Sequence, residues 1–220
     1  MAPVQLRDTR QHWIEFLEAV ALAREELGSP DTVWYRGHSD ADWSLLPTIF
    51  RIPDGLKREQ QAFHEFKRLA SKLFAKHEND WEVLFDMQHY GIPTRLLDWT
   101  ESLGVAIAFI TFTQYYGDRD SALFVLNPAT LNASSGLADI KRLPDDLEFQ
   151  YRRIYWDKKP FAPHLPIAAY PPLRSERLFA QLGVFTIHGD DSAAVENVML
   201  LSGQESYPPS SSESGCTRVR

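Results

Sequence analysis

A single cysteine, Cys216, is all the thiol chemistry this chain of 220 residues holds. That excludes an internal disulfide framework and a cysteine-based metal cluster. Long apolar runs are missing too, none approaching the roughly 20 residues that a membrane-spanning helix needs. Positive charge is not in surplus: 23 Lys and Arg stand against 30 Asp and Glu, a formal net charge of −7. Affinity for long nucleic acid comes mainly from Lys and Arg displacing counterions, so such a balance argues against that function and leaves room only for a local basic groove. The phosphate-binding loop GxxxxGK[ST], the dinucleotide fingerprint GxGxxG, the zinc-protease HExxH and the hydrolase GxSxG are all absent, and nothing calls for a metal. The opening residues, MAPVQLRDTRQHW, carry charges and no apolar centre, which predicts no secretory signal and a cytoplasmic location.

What is present suffices for one sizeable core, since 44% of the residues are hydrophobic and 12% aromatic. Residues 1–203 read as one domain and the Ser/Pro-rich residues 204–220 as a flexible tail. Apolar residues at near-helical spacing predict a first helix over 9–27, ended by Gly28. TVWYRG alternates as a strand does, and places Arg36 at a strand end. Residues 57–86 carry helical periodicity through Phe63, Phe66, Leu69, Leu73 and Phe74, with a second helix at 81–87. Residues 102–115 predict a buried helix capped by Ser102. SALFVLNP is a strand ended by Pro128, residues 129–170 an irregular excursion, and RLFAQLGVFTIHG two strands around a break at Leu182 and Gly183. The expected fold is α+β: N-terminal helices packed on a split, mainly antiparallel sheet whose strands include 32–36, 121–127, 177–181 and 184–188.

Reactive side chains concentrate in three stretches. In WYRGHSD, Arg36 beside Gly37 could hold a phosphate or carboxylate in its planar fork, or form a structural ion pair with an aspartate such as Asp98. MQHYGIPTRLLDWTES gathers His89, Thr94, Arg95, Asp98, Thr100 and Ser102 around a turn, with Arg95 and Asp98 expected to fix each other. In LRSERLFAQLGVF, Glu176 could stabilise a developing positive charge, or pair with Arg174 or Arg177, while Gln181 could hold the turn or a ligand. Arg36, His89, Arg95, Asp98 and Ser102 are expected to converge on one cleft, the usual pattern of a ligand site.

Together, Tyr35-Arg36-Gly37, the block at 87–110 and the segment RLFAQLGVF resemble the FRG domain family, over roughly residues 30–190. Members commonly carry a proline before the late arginine, where this chain has Ser175 and Glu176. The order of elements also resembles ADP-ribosyltransferase folds. That resemblance implies NAD bound between two small sheets, with Tyr35, Arg36, Gly37, His38, His89, Thr94, Arg95, Thr100, Ser102 and Gln181 around it. It places the catalytic carboxylate at Glu176, with Asp98 in reserve. The implied activity is ADP-ribosyl transfer or NAD hydrolysis by a toxin or phage-defence effector, with a protein or nucleic-acid acceptor. A non-catalytic module holding a nucleotide-like small molecule is the alternative, and a purely structural role for these charges is the third reading.

Overall fold

The computed structural model describes residues 6–70, 79–112, 119–143, 149–171, 180–192, 194, 195 and 216–219. Helix α1 (Leu6–Glu26) leads into strand β1 (Trp34–His38) and a 3-10 turn (Thr48–Arg51). Helices α2 (Gly55–Ala70) and α3 (Asp80–His89), strand β2 (Leu96–Thr100) and helix α4 (Leu103–Phe112) follow. The second half holds β3 (Ala122–Leu126), α5 (Pro128–Ser134), β4 (Lys141–Arg142), a π-helical turn (Arg152–Trp156), β5 (Ile167–Tyr170), β6 (Gly183–Ile187) and β7 (Cys216–Val219).

The α+β class holds. Among the described residues, seven strands form one mixed sheet in the order β4-β5-β6-β2-β1-β3-β7, in which only β4 and β5 run parallel. The expected irregular excursion at 129–170 instead supplies one helix and two strands. Pro128 opens α5 rather than merely ending β3, because its fixed φ and missing N–H suit a first helical turn capped by Asn127. Residues 180–181 are helical where the sequence pattern predicts a strand, with 177–179 outside the described residues. Residues 216–219, in the segment read as a flexible tail, form β7 against β3. Leu69, expected on the apolar face of α2, is 60% exposed, while Leu73 and Phe74 lie outside the described residues.

Three apolar clusters hold these layers together. One joins α2, α3 and the π-helical turn to β2, β5 and β6 through Phe63, Trp81, Leu84, Leu96, Tyr151 and Phe185. A second lies on the opposite face of the sheet around Trp34, Leu97, Trp99 and Phe124. The third seats α1 and α4 on β1 and β3 through Val20, Ala23, Tyr35, Ala106 and Val125.

One junction positions the site. β1 pairs with β3 along its whole length, from Trp34↔Leu126 to His38↔Ala122, and β2 pairs with β6 along all five of its residues. Between β1 and β2 the register shows one pair, Tyr35↔Thr100. Continued, that antiparallel register would set Gly37 opposite Asp98. The ladder stops short of it, so two half-sheets meet at a single rung and part beyond it.

Candidate functional site at the parting of β1 and β2

Arg36 lies at this opening, half-buried. Its Nε donates to Nε2 of His38 at 2.9 Å, and its Nη1 donates to the main-chain oxygen of Asp98. The guanidinium thus takes the place of a ladder donor on the parted edge of β2. Both acceptors are neutral. Arg51, at the end of the 3-10 turn, is held in the same manner: its Nε and Nη2 donate to the main-chain oxygens of Leu46 and Ser44 at 2.9 and 3.4 Å. The turn is tied to the site by Ile49 N, which donates to Thr94 O. Among the described residues no carboxylate comes within ion-pair distance of either arginine, and Arg36 Nη2 has no hydrogen-bond partner. Burial pulls the Arg36 guanidinium below its ordinary pKa; the charge of Asp98 opposes this and that of Arg51 adds to it. A cation anchored by neutral acceptors with donor capacity left over can take a negatively charged ligand, although the Asp98 charge already offsets part of it.

A polar relay supports the opening from the other side of β2. Thr94 Oγ1 donates to Gln88 Oε1 at 2.6 Å, and Gln88 Nε2 donates to Asp98 Oδ2 at 2.7 Å. Thr94 Oγ1 also accepts from Leu96 N, which closes the turn after Gly91, a residue with φ +74°. Further along, Thr100 Oγ1 donates to Gln181 O at 2.6 Å and accepts from Ser102 N, while Ser102 Oγ accepts from Val105 N and caps α4 as expected. Thr100 and Ser102 therefore shape the β2–α4 turn and fasten the segment before β6 to it. His38 sits edge-on between the rings of Trp43 and Phe124, at 6.1 and 5.0 Å.

Several expected site residues go elsewhere. Arg95 does not pair with Asp98. Its Nε donates to Glu59 Oε1 at 2.7 Å and its Nη2 to Glu59 Oε2, with both side chains buried. Tyr151 donates to the same carboxylate, and Arg95 Nη1 donates to the main-chain oxygens of His188 and Gly189. The physical reason is burial: successive residues of β2 alternate faces, but Arg95 precedes the strand and turns beneath α2, where an unpaired charge would be intolerable. Burial opposes the charge of Arg95, and the hydrogen bonds and charge of Glu59 together with Tyr151 and Tyr155 outweigh it and raise the pKa. Tyr35 is buried on the α1 and α4 side. His89 is exposed, with its ring 4.9 Å from that of Tyr90, and makes no hydrogen bond among the described residues. Arg36 and His38 are thus brought together against the main chain of Asp98, whose carboxylate turns to Gln88 and Thr94 on the other face of β2; Thr100, Ser102 and Gln181 lie two rungs along, and Arg95 is buried away from them. Glu176 lies outside the described residues.

Sequence reasoning missed Arg51, Gln88 and Glu59. Glu59 had a legible signal, because it stands on the buried stripe Gly55, Glu59, Phe63, Phe66, Ala70, where a carboxylate needs a buried cation. Gly37 also has a physical reason for its identity. A Cβ there would lie 2.1 Å from Ala106 O, so α4 rests directly on the β1 backbone.

The strand carrying Arg36, the aromatic turn after it, Arg51 and the α3–β2 block fall inside residues 31–118, which match the model of the FRG domain. The chain carries an FRG domain. The match covers the Tyr35-Arg36-Gly37 strand and the 87–102 block but not RLFAQLGVF, whose described part is tied to the block by the contacts of Gln181 and Leu182 with Thr100 and Glu101 and by the pairing of Gly183, Val184 and Phe185 with β2. No curated protein and no solved structure matches the chain significantly. Among the described residues of the FRG domain and its surroundings, no helix is long and apolar enough to cross a membrane.

Proposed function

We propose that the opening between β1 and β2 holds the pyrophosphate of NAD, and that this FRG-domain protein cleaves the bond between nicotinamide and ribose. What supports the reading is Arg36, which is held by His38 Nε2 and the main-chain oxygen of Asp98 and is in ion-pair distance of no carboxylate among the described residues, with Arg51 fixed by main-chain oxygens as a second candidate donor. A pyrophosphate suits two forked donors better than a single carboxylate does. The residues present fit that group, since Arg36 Nη2 keeps its donor capacity among the described residues.

In the proposed reaction the glycosidic C–N bond breaks and nicotinamide leaves with the electron pair. Water or an acceptor nucleophile then bonds to the ribose carbon and gives up its proton. A carboxylate accepting a hydrogen bond from a ribose hydroxyl would stabilise the positive charge that develops on the sugar. Glu176 is the first candidate and Asp98 the reserve, the latter already oriented by Gln88. The acceptor is a protein or nucleic acid, which would suit a toxin or defence effector.

The test is nicotinamide release from NAD by the purified protein, with and without cell extract. Turnover that falls by about 10²–10³ in Glu176→Gln or Asp98→Asn, with NAD still bound, supports the reaction. Binding of NAD without release by the wild type in any acceptor condition assigns a ligand-binding module instead, a reading favoured by the tie between Gln88 and Asp98.

A further inference from the structure

The turn after β1 is tightly built. Asp40 Oδ1 accepts from Asp42 N at 3.0 Å, Asp40 O accepts from Trp43 N at 3.3 Å, and Ala41 N donates to Asp120 O at 2.7 Å. Ala41 and Leu45 are buried on either side of an exposed run, Asp42-Trp43-Ser44, and Val195 N donates to Leu45 O at its far end. Trp43 is 37% exposed on this fixed turn. A large ring is thus presented to solvent by a backbone anchored on both sides, the way a rigid scaffold displays a binding residue.

Two contacts place that ring beside the candidate site. Its centroid lies 6.1 Å from that of His38, edge-to-face, and His38 Nε2 accepts from Arg36 Nε at 2.9 Å. The next residue, Ser44, accepts through its main-chain oxygen from Arg51 Nη2 at 3.4 Å. An edge-to-face contact occupies at most one face of an indole. One histidine ring separates the indole from the Arg36 guanidinium, about the span that a ribose sets between a nucleotide's phosphate and its base.

We propose that Trp43 is the platform on which the adenine of the dinucleotide stacks. This rests on the reading that Arg36 takes the pyrophosphate, and it names what receives the base. The two acceptors of Arg36 give the ligand its direction. On one side His38 leads to Trp43, and on the other the main chain of Asp98 leads into β2. The proposed cleavage draws its carboxylate from Asp98 or from Glu176 in the segment before β6, so nicotinamide lies toward β2 and adenine toward Trp43. A base offers its π-face to an indole, and a phosphate offers its oxygens to the neighbouring guanidinium. An adenine nucleotide therefore binds more tightly here than bare pyrophosphate.

The experiment is titration calorimetry of NAD, ADP and pyrophosphate into the purified chain, with Trp43→Ala, Trp43→Leu and Trp43→Phe beside wild type. Trp43→Ala should weaken NAD and ADP roughly 10- to 100-fold, the scale of one lost base stack, and leave pyrophosphate unchanged. Trp43→Leu keeps an apolar side chain without a ring and should bind as weakly as Trp43→Ala. Trp43→Phe keeps a ring against His38, should recover most of the affinity, and guards against a variant that does not fold. In saturation-transfer NMR the adenine ring protons of bound NAD should lose their signal in Trp43→Ala, while those of nicotinamide keep theirs. Wild-type NAD affinity in Trp43→Ala, an equal loss for pyrophosphate, full affinity in Trp43→Leu, or loss of the nicotinamide signal in place of adenine's would each overturn the platform and leave the anion site standing. A wild type that shows the Trp43 effect without releasing nicotinamide supports the platform and sinks the cleavage alone. One that binds none of the three compounds overturns both.

Discussion

A guanidinium can be neutralised by a carboxylate or merely steadied by neutral oxygens, and Arg95 and Arg36 differ in this way. Arg95 is spent on Glu59, and its role is to hold α2 to the start of β2. Glu59→Ala would leave a buried guanidinium and the Tyr151 hydroxyl without their acceptor, which should cost about 3–5 kcal/mol. Thermal denaturation should register that as a fall of roughly 10 °C in Tm. Arg36 keeps its charge available. If NAD binds as proposed, Arg36→Lys should weaken that binding roughly 10- to 100-fold by titration calorimetry, because lysine loses the fork that reaches His38, Asp98 and the ligand together. Its fold should persist. Wild-type affinity in Arg36→Lys and Arg51→Lys alike would remove the arginine pair from the ligand. The response of stability to pH falls on a different side chain, His188, which is fully buried with both ring nitrogens unpartnered. Burial, with the nearby Arg95 charge, pulls its pKa down to about 3. The folded protein thus refuses a proton that the unfolded chain accepts near 6.5, so this contribution to stability is intact above pH 6.5 and is lost as pH falls toward 3. Denaturant midpoints should drop through that window, and His188→Leu should flatten the decline.

At the scale of elements, α4 depends on two residues flanking it in space. Gly37 lets the helix backbone touch β1, so Gly37→Ala should push the two apart and abolish ligand binding together with much of the stability. Ser102→Ala removes the side-chain cap at the helix start and should cost about 1 kcal/mol, read as a shift in denaturant midpoint. Much of this layer was legible in the sequence. The alternation of TVWYRG, the apolar run after Ser102 and the periodicity of α2 each report a local backbone preference, and each element lies within a few residues of its expected place. The failures share a cause. Strands β4 and β5 and the π-helical turn are short elements stabilised by the rings of Trp81, Phe149, Tyr151 and Tyr155 packing across the chain. No local pattern encodes such contacts.

For the whole molecule, the site's composition was more legible than its geometry. The density of polar residues at 87–102 pointed to a functional region, yet type and spacing could not tell that Asp98 turns to Gln88 and Arg95 to Glu59, since those partners lie on other elements. Arg51 was hidden because an arginine at the end of an apolar stretch resembles any surface charge until the fold shows it fixed by the main-chain oxygens of Leu46 and Ser44.

The single rung between β1 and β2 also sets how the backbone should exchange its amide protons with solvent. β3 and β6 are paired on both sides, β3 with β1 and β7, β6 with β2 and β5, so their amides open only with the sheet. Beyond Tyr35 and before Thr100 the facing edges have no such neighbour, and deuterium should enter there first. A pyrophosphate bridging Arg36 and Arg51 would stitch those edges. Deuterium uptake in peptides spanning 36–40 and 95–99 should then slow with NAD while peptides over β3 and β6 stay unchanged, the result expected of a ligand that takes the place of the missing rungs.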